Sequence, residues 1–331
     1  MDFVNETAHP ARLFTGVIGE NVKGAWVALR ATYQWDPVTA TLHAAPEPWP
    51  VFTTPVRTEI GDFPPDDYPY RRGCELVVVG TARTARPVTA LPVSVRVGSF
   101  RDELAVRGDR VWVRGPNGLF PSEPVPFTEM PMLGWGRSYG GAPTNDEGLT
   151  LTHPLNPAGA GFYLTEAAAE GRPLPNIEDP RAPITRWDDR PTPAGWGPLD
   201  NTPVWQMTEW VRARTAGGDT PSREEIAAAG LKTFPAAASP RTLMPGLEGG
   251  ELVSLSGFTE RDLQFNVPVL RLRVRAQVGE ETIVRPLGYT GLWVLVPYHL
   301  VVVTLRARFK YRLRPGELRA ARVERDADLS G

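Results

Sequence analysis

Leu300-Val-Val-Val-Thr-Leu-Arg306-Ala-Arg308-Phe-Lys310-Tyr-Arg312-Leu313-Arg314 decides the fold class. Cations take every second position from Arg306 to Arg314, and Ala307, Phe309, Tyr311 and Leu313 fill the places between. That period of two belongs to a strand, whose successive side chains leave opposite faces of a pleated backbone. All five cations then share one face, which reads as a basic stripe for an acidic partner surface or nucleic acid, or as the solvated face of an edge strand. Just upstream, the uncharged stretch from Gly288 to Leu305 has about the length of a membrane span. Gly288, Gly291, Pro297 and His299 interrupt it, so it reads as two strands around a turn.

Strand signals continue outward from there. Glu251 to Leu255, Leu263 to Val267, Val269 to Val278 and Glu281 to Arg285 carry strand-type residues. In the first third, Trp26 to Tyr33, Leu76 to Gly80, Pro92 to Gly98, Glu103 to Val106 and Arg110 to Arg114 do the same, and Pro116-Asn117-Gly118 supplies a turn. Gly98 precedes Trp112, and Gly279 precedes Trp293, by the same interval. The two ends are thus expected to hold similar β-units, as facing sheets of one sandwich, with chance likeness as the other reading.

The middle is different. Prolines recur from Pro121 to Pro245, and only Tyr163 to Glu170 and Ser222 to Ala229 look helical. Trp135, Tyr139, Phe162, Trp187, Trp196, Trp205 and Trp210 argue that this long loop region packs down. The expected organisation is a mainly β chain with an N-terminal β-rich portion (1–130), an ordered Pro/Gly/Trp-rich region with short helices (131–245) and a C-terminal β-rich portion (246–331), all in one unit.

Composition narrows the function. The 331 residues include 35 prolines and 32 glycines, yet 41% are apolar, enough to build a core. The formal charge of −2 gives no general argument for nucleic acid or a membrane surface. One cysteine, Cys74, excludes an internal disulfide and any cysteine-based metal cluster, and four scattered histidines announce no metal site. No basic and apolar leader is visible at the start, so the expectation is a cytoplasmic protein without a cofactor.

Catalytic signatures are missing too. No phosphate-binding glycine loop or nucleophile elbow occurs, and neither Gly134-Trp-Gly136 nor Gly195-Trp-Gly197 joins a strand to a helix. Asp66-Asp67, Glu178-Asp179 and Asp188-Asp189 are adjacent acids in loops, which usually stay solvated or cap turns. A pair facing a sugar cleft would be the alternative. The central region is instead dense in residues that fix a backbone path: Gly140-Gly141, Asn156-Pro157-Ala158-Gly159-Ala160-Gly161, Leu174-Pro175-Asn176-Ile177-Glu178 and Pro193-Ala-Gly195-Trp-Gly197-Pro198. Asn156, Asn176 and Glu178 are expected to hold this path through hydrogen bonds to backbone groups.

In that order, and with Trp205 after them, these segments resemble the bacterial family called domain of unknown function 2169. Val79-Gly80-Thr81-Ala82 and Gly108-Asp109-Arg110-Val111-Trp112 resemble its N-terminal strand segment. Tyr139 stands where the family pattern has Phe, and residues 206–244 depart from it, which makes the chain a divergent member. The resemblance implies a non-enzymatic adaptor or chaperone of type VI secretion, one that binds a toxic effector, a spike-tip protein or both, and helps load the effector on the spike. It brings no catalytic residues. Trp135, Trp187, Trp196, Trp205 and the cations Arg306, Arg308, Lys310 and Arg312 are the candidate contacts, with burial the competing fate of each Trp. A polysaccharide or cell-wall hydrolase using Glu178 or Asp188-Asp189, and a structural part of a contractile tail, are the rivals.

Overall fold

The structure is a computed structural model and describes residues 1–19, 22–67, 73–145, 147–198, 214, 217–218, 222, 225, 239–312, 314 and 318–326. It is mainly β, with several sheets and few helical turns. The largest sheet runs β12 (Phe127–Met132), β7 (Cys74–Val88), β21 (Gly288–Leu295), β22 (Leu300–Arg312), β3 (Val22–Trp35), β2 (Ala11–Gly19). Two short strands join it, β16 (Leu243–Met244) beside β7 and β4 (Leu42–Ala44) beside β3. Within this sheet, among the described residues, only the β7–β21 pair is parallel. Strands from the two ends of the chain therefore interleave in one sheet.

β21 and β22 form the hairpin expected of the long apolar stretch, turned by Val296–Tyr298, after which His299 takes a left-handed φ of 55°. Their Val- and Leu-rich run is nearly continuous because both sheet faces are covered there. Val301, Val303, Leu305, Ala307, Phe309 and Tyr311 enter the main core with Leu292 and Val294, Leu76 and Val78, and Ala25, Val27 and Leu29. Each fully buried Val or Leu contributes about 1.5–3 kcal/mol. Two further sheets close this core. One runs β15 (Ile177–Glu178), β9 (Phe100–Arg107), β8 (Ala90–Val97), β17 (Leu252–Ser256), β18 (Leu263–Asn266); the other β1 (Asp2–Asn5), β23 (Arg319–Arg325), β19 (Leu272–Val278), β20 (Glu281–Pro286).

The opposite face of the large sheet has a smaller core. Val77, Val79, Trp293, Leu295 and Val302 pack under Phe52, Ile60 and Phe63, from a segment that carries the ribbon β5 (Val56–Thr58) and β6 (Gly61–Phe63). That cover decides which residues of β22 are buried.

The likeness between the ends is local. The β8–β9 and β19–β20 hairpins both turn through two residues, with Gly98 at φ 55° and Gly279 at φ 57°. A positive φ at the first turn position suits the twist of such hairpins and favours glycine. Beyond the turns the two diverge: Trp112 opens the ribbon β10 (Trp112–Gly115) and β11 (Gly118–Pro121), whereas Trp293 lies inside β21.

The middle region folds on a small core that it shares with β10 and β11, built from Trp112, Leu119, Tyr139, Ala169, Leu174 and Ile184. It contains the parallel pair β13 (Tyr139–Gly140) and β14 (Ala160–Gly161). It also contains the short α1 (Glu166–Ala169), started by the Thr165 hydroxyl accepting from the Ala168 amide at 3.1 Å. The helix expected from Ser222 lies outside the described residues except for Ser222 and Glu225. Those two bond reciprocally at 2.9 and 3.2 Å, as at a helix start. Among the described residues no helix is long and apolar enough to cross a membrane.

Candidate functional site

The four shape-fixing segments of the middle region, distant in sequence, interlock in space. Asn156, buried, aims its side-chain amide at the carbonyls of Trp135 (2.9 Å) and Tyr139 (3.0 Å), and its backbone amide donates to His153 Nδ1 at 3.2 Å. Gly140 sits directly against it at φ 153°, where a Cβ would collide with the Asn156 carbonyl. The Gly141 amide donates to that same carbonyl at 2.9 Å, and the Gly159 backbone crosses beside Ser138 and Gly140. Gly161, at φ 95°, leaves room for the ring of Pro175, and half-buried Pro157 lies in the turn that follows Asn156. Such positions accept no larger residue without strain.

The third segment anchors this knot to a sheet. Leu174 and Ile177 are buried, and Ile177 and Glu178 pair with Val106 and Ala105 of β9. The Asn176 amide donates to the Arg107 carbonyl (3.1 Å) and to Asp109 (2.9 Å), while its oxygen accepts from Arg137 at 2.8 Å. Glu178 is buried between Arg110, which also donates to the Pro175 carbonyl, and Arg107 at 3.1 Å. A carboxylate so placed is held by two guanidinium groups and serves the scaffold.

The fourth segment completes the large sheet. Along β7, β16 pairs with Cys74 and Glu75 while β12 starts at Gly80, and in the gap the Val78 amide donates to the Trp196 carbonyl at 2.9 Å. Residues 193–198 are buried throughout. The Trp196 indole enters the core against Phe258 and donates to Asp102 of β9 at 2.7 Å. Gly195 lies under the Trp135 ring, Gly197 accepts from the Trp135 indole at 3.1 Å, and Pro198 packs on Gly61. Arg241 bridges Asp102 and Asp179. Burial alone would raise the Asp179 carboxyl, but hydrogen bonds from Arg181 and Arg241 outweigh it and hold that carboxyl well below the usual range.

Several expected contacts are corrected by these positions. Trp135 and Trp196 are 7% and 2% exposed and brace the interior, so neither is an exposed anchor. Trp187 is half-buried on the middle core beside Arg190, and Trp205 lies outside the described residues. Arg306 also leaves the stripe. It is buried because the 49–66 segment covers that level of the sheet, and Asp66 holds it at 2.6 Å and Arg30 at 2.8 Å. Asp66 itself, expected to be solvated, is 1% exposed. The Arg30 guanidinium lies over Phe52 at 4.0 Å, and buried Glu75 lines the same small gap as Asp66. Nothing in the sequence marks this cluster except charged residues inside apolar strands, at Arg30 and Glu75.

Arg308, Lys310 and Arg312 are exposed on the face that Arg306 shares, beyond the edge of the cover, and Arg314 follows them. In the third acidic pair, Asp189 accepts from the Thr185 and Arg186 amides at 2.8 Å each, and Asp188 pairs with Arg186 at 2.9 Å. An open cleft of about 860 Å³ lies elsewhere, lined by Trp35, Val38, Phe258, Glu260, Asp262 and His299 among others. Neither Glu178 nor Asp188 and Asp189 reach it. Among the described residues no group of three or more His, Cys, Asp or Glu could hold a metal ion.

Comparison with protein families matches residues 20–306 to the description "Uncharacterized protein conserved in bacteria (DUF2169)". No curated protein and no solved structure matches the chain.

Proposed function

We propose that this chain, which belongs to the DUF2169 family of bacterial proteins, is a non-enzymatic adaptor that binds a toxic effector and helps load it on the spike of a type VI secretion apparatus. The observation that carries the reading is the interlock of four separate loop segments into one knot tied to two sheets. A loop surface fixed in advance loses little entropy when it meets a partner, so modest contacts suffice for binding. The acids that a hydrolase would need, Glu178, Asp188 and Asp189, are instead spent on arginines and backbone amides.

The test is co-expression with the product of the adjacent gene. A stable complex that survives size exclusion supports loading. A chain that purifies alone beside a secretion gene cluster, or that cleaves polysaccharide, refutes it.

A further inference from the structure

Two features meet in the C-terminal half of β22. β21 accompanies it only as far as the Gly288–Arg306 pair, whereas β3 continues beside it to the Val22–Arg312 pair. Among the described residues no strand pairs with residues 307–312 on the side away from β3. Among the described residues, alternate backbone N–H and C=O groups of that stretch therefore have no strand partner on that side. Along the same stretch Arg308, Lys310 and Arg312 are exposed, while Ala307, Phe309 and Tyr311 are fixed in the core. The buried residues lock the register, so the cations cannot slip to the other face.

The spacing selects a partner. Cations two residues apart on a strand repeat at about 7 Å. A strand added alongside sets its own side chains at the same repeat, about 4.5–5.5 Å across. Among the described residues Lys310 and Arg312 form no ion pair. The chain as a whole is slightly acidic, so this positive row is a local excess. A nucleic-acid backbone could meet the charges but would add no strand on that side. An extended acidic polypeptide answers both.

We propose that residues 307–312 accept an extended acidic segment of the partner polypeptide, which joins β22 as a further strand with carboxylates at alternate positions facing Arg308, Lys310 and Arg312. This rests on the adaptor reading and names the chemistry of what it grips.

The experiment uses the full chain and synthetic peptides, with binding read by fluorescence anisotropy. One short peptide alternates glutamate with threonine; a second has the same composition with its glutamates in one block; a third alternates lysine with threonine. The alternating acidic peptide should bind best, more weakly as salt rises. The Arg308→Glu, Lys310→Glu, Arg312→Glu triple variant should lose about tenfold or more of that affinity and gain affinity for the lysine peptide, which shows that the variant is folded. Equal binding of the blocked peptide, tighter binding of a single-stranded oligonucleotide or of anionic vesicles, or no peptide binding at all would overturn the proposal. So would self-association of the Arg308→Ser, Lys310→Ser, Arg312→Ser variant without peptide binding, since the cations would then only repel other edges. A partner protein that co-purifies equally with wild type and the charge-reversed chain would leave the adaptor role standing and remove this surface from it.

Discussion

The Trp196 indole donates to the Asp102 carboxylate at 2.7 Å, joining residues 94 positions apart in the chain. Through its carbonyl the same tryptophan completes the edge of β7, so one residue binds the large sheet to the five-stranded one. Trp196→Phe keeps much of the ring but removes the bond and leaves a partial void. It should cost about 2–4 kcal/mol, read from the urea midpoint. A shift worth less than about 0.5 kcal/mol would mean that the contact is incidental.

Asn156→Ala strips two loop carbonyls of their donor inside the knot. A loss of about 2 kcal/mol follows, with faster amide exchange across residues 135–161 and unchanged protection in β22. Unaltered exchange in the loop would show that the knot holds without this side chain.

Arg306 and Arg312 share a strand and a face but differ in cover. Removing one partner of a buried ion pair costs about 3–5 kcal/mol, whereas an exposed cation is worth within about 0.5 kcal/mol. Arg306→Met should therefore fall in the first range and Arg312→Met in the second. Equal costs would contradict the assignment of Arg306 to the interior.

The depressed Asp179 carboxyl makes part of the stability depend on pH. Its folded pKa lies below the unfolded value of about 4, so its contribution is complete above that pH and drains away as pH falls toward the folded value. The stability gap between wild type and Asp179→Asn should be full at neutral pH and narrow in acid. A gap that stays constant down to about pH 2 would show that the arginines do not favour the ionised form.

Much of the architecture is legible in single strands. Period-two alternation identifies β8, β9 and β22, and the broken apolar stretch foretells the β21–β22 hairpin. Pairing is not legible, because nothing within β22 says that it lies between β21 and β3. The same limit governs the site. Arg306 and Arg308 look alike in the strand, and only the reach of the 49–66 segment separates them. Asp66 looks like any loop acid, since the arginines that bury it lie 36 and 240 positions away. In the sequence alone, Trp135 and Trp196 read as candidates for contact with a partner. Their fate turned on the backbone carbonyl and carboxylate that their indole nitrogens find in the folded chain.

The placement of β21 and β22 has a consequence for biogenesis. They occupy the centre of the large sheet, between β7 and β3, yet they are made after both of those strands. Until residue 312 has emerged, β3 with β2 and β4, and β7 with β12 and β16, lack the two strands that unite them in one sheet. The large sheet therefore closes only once β22 has been made, and truncation before Leu300 should yield insoluble material rather than a smaller working protein.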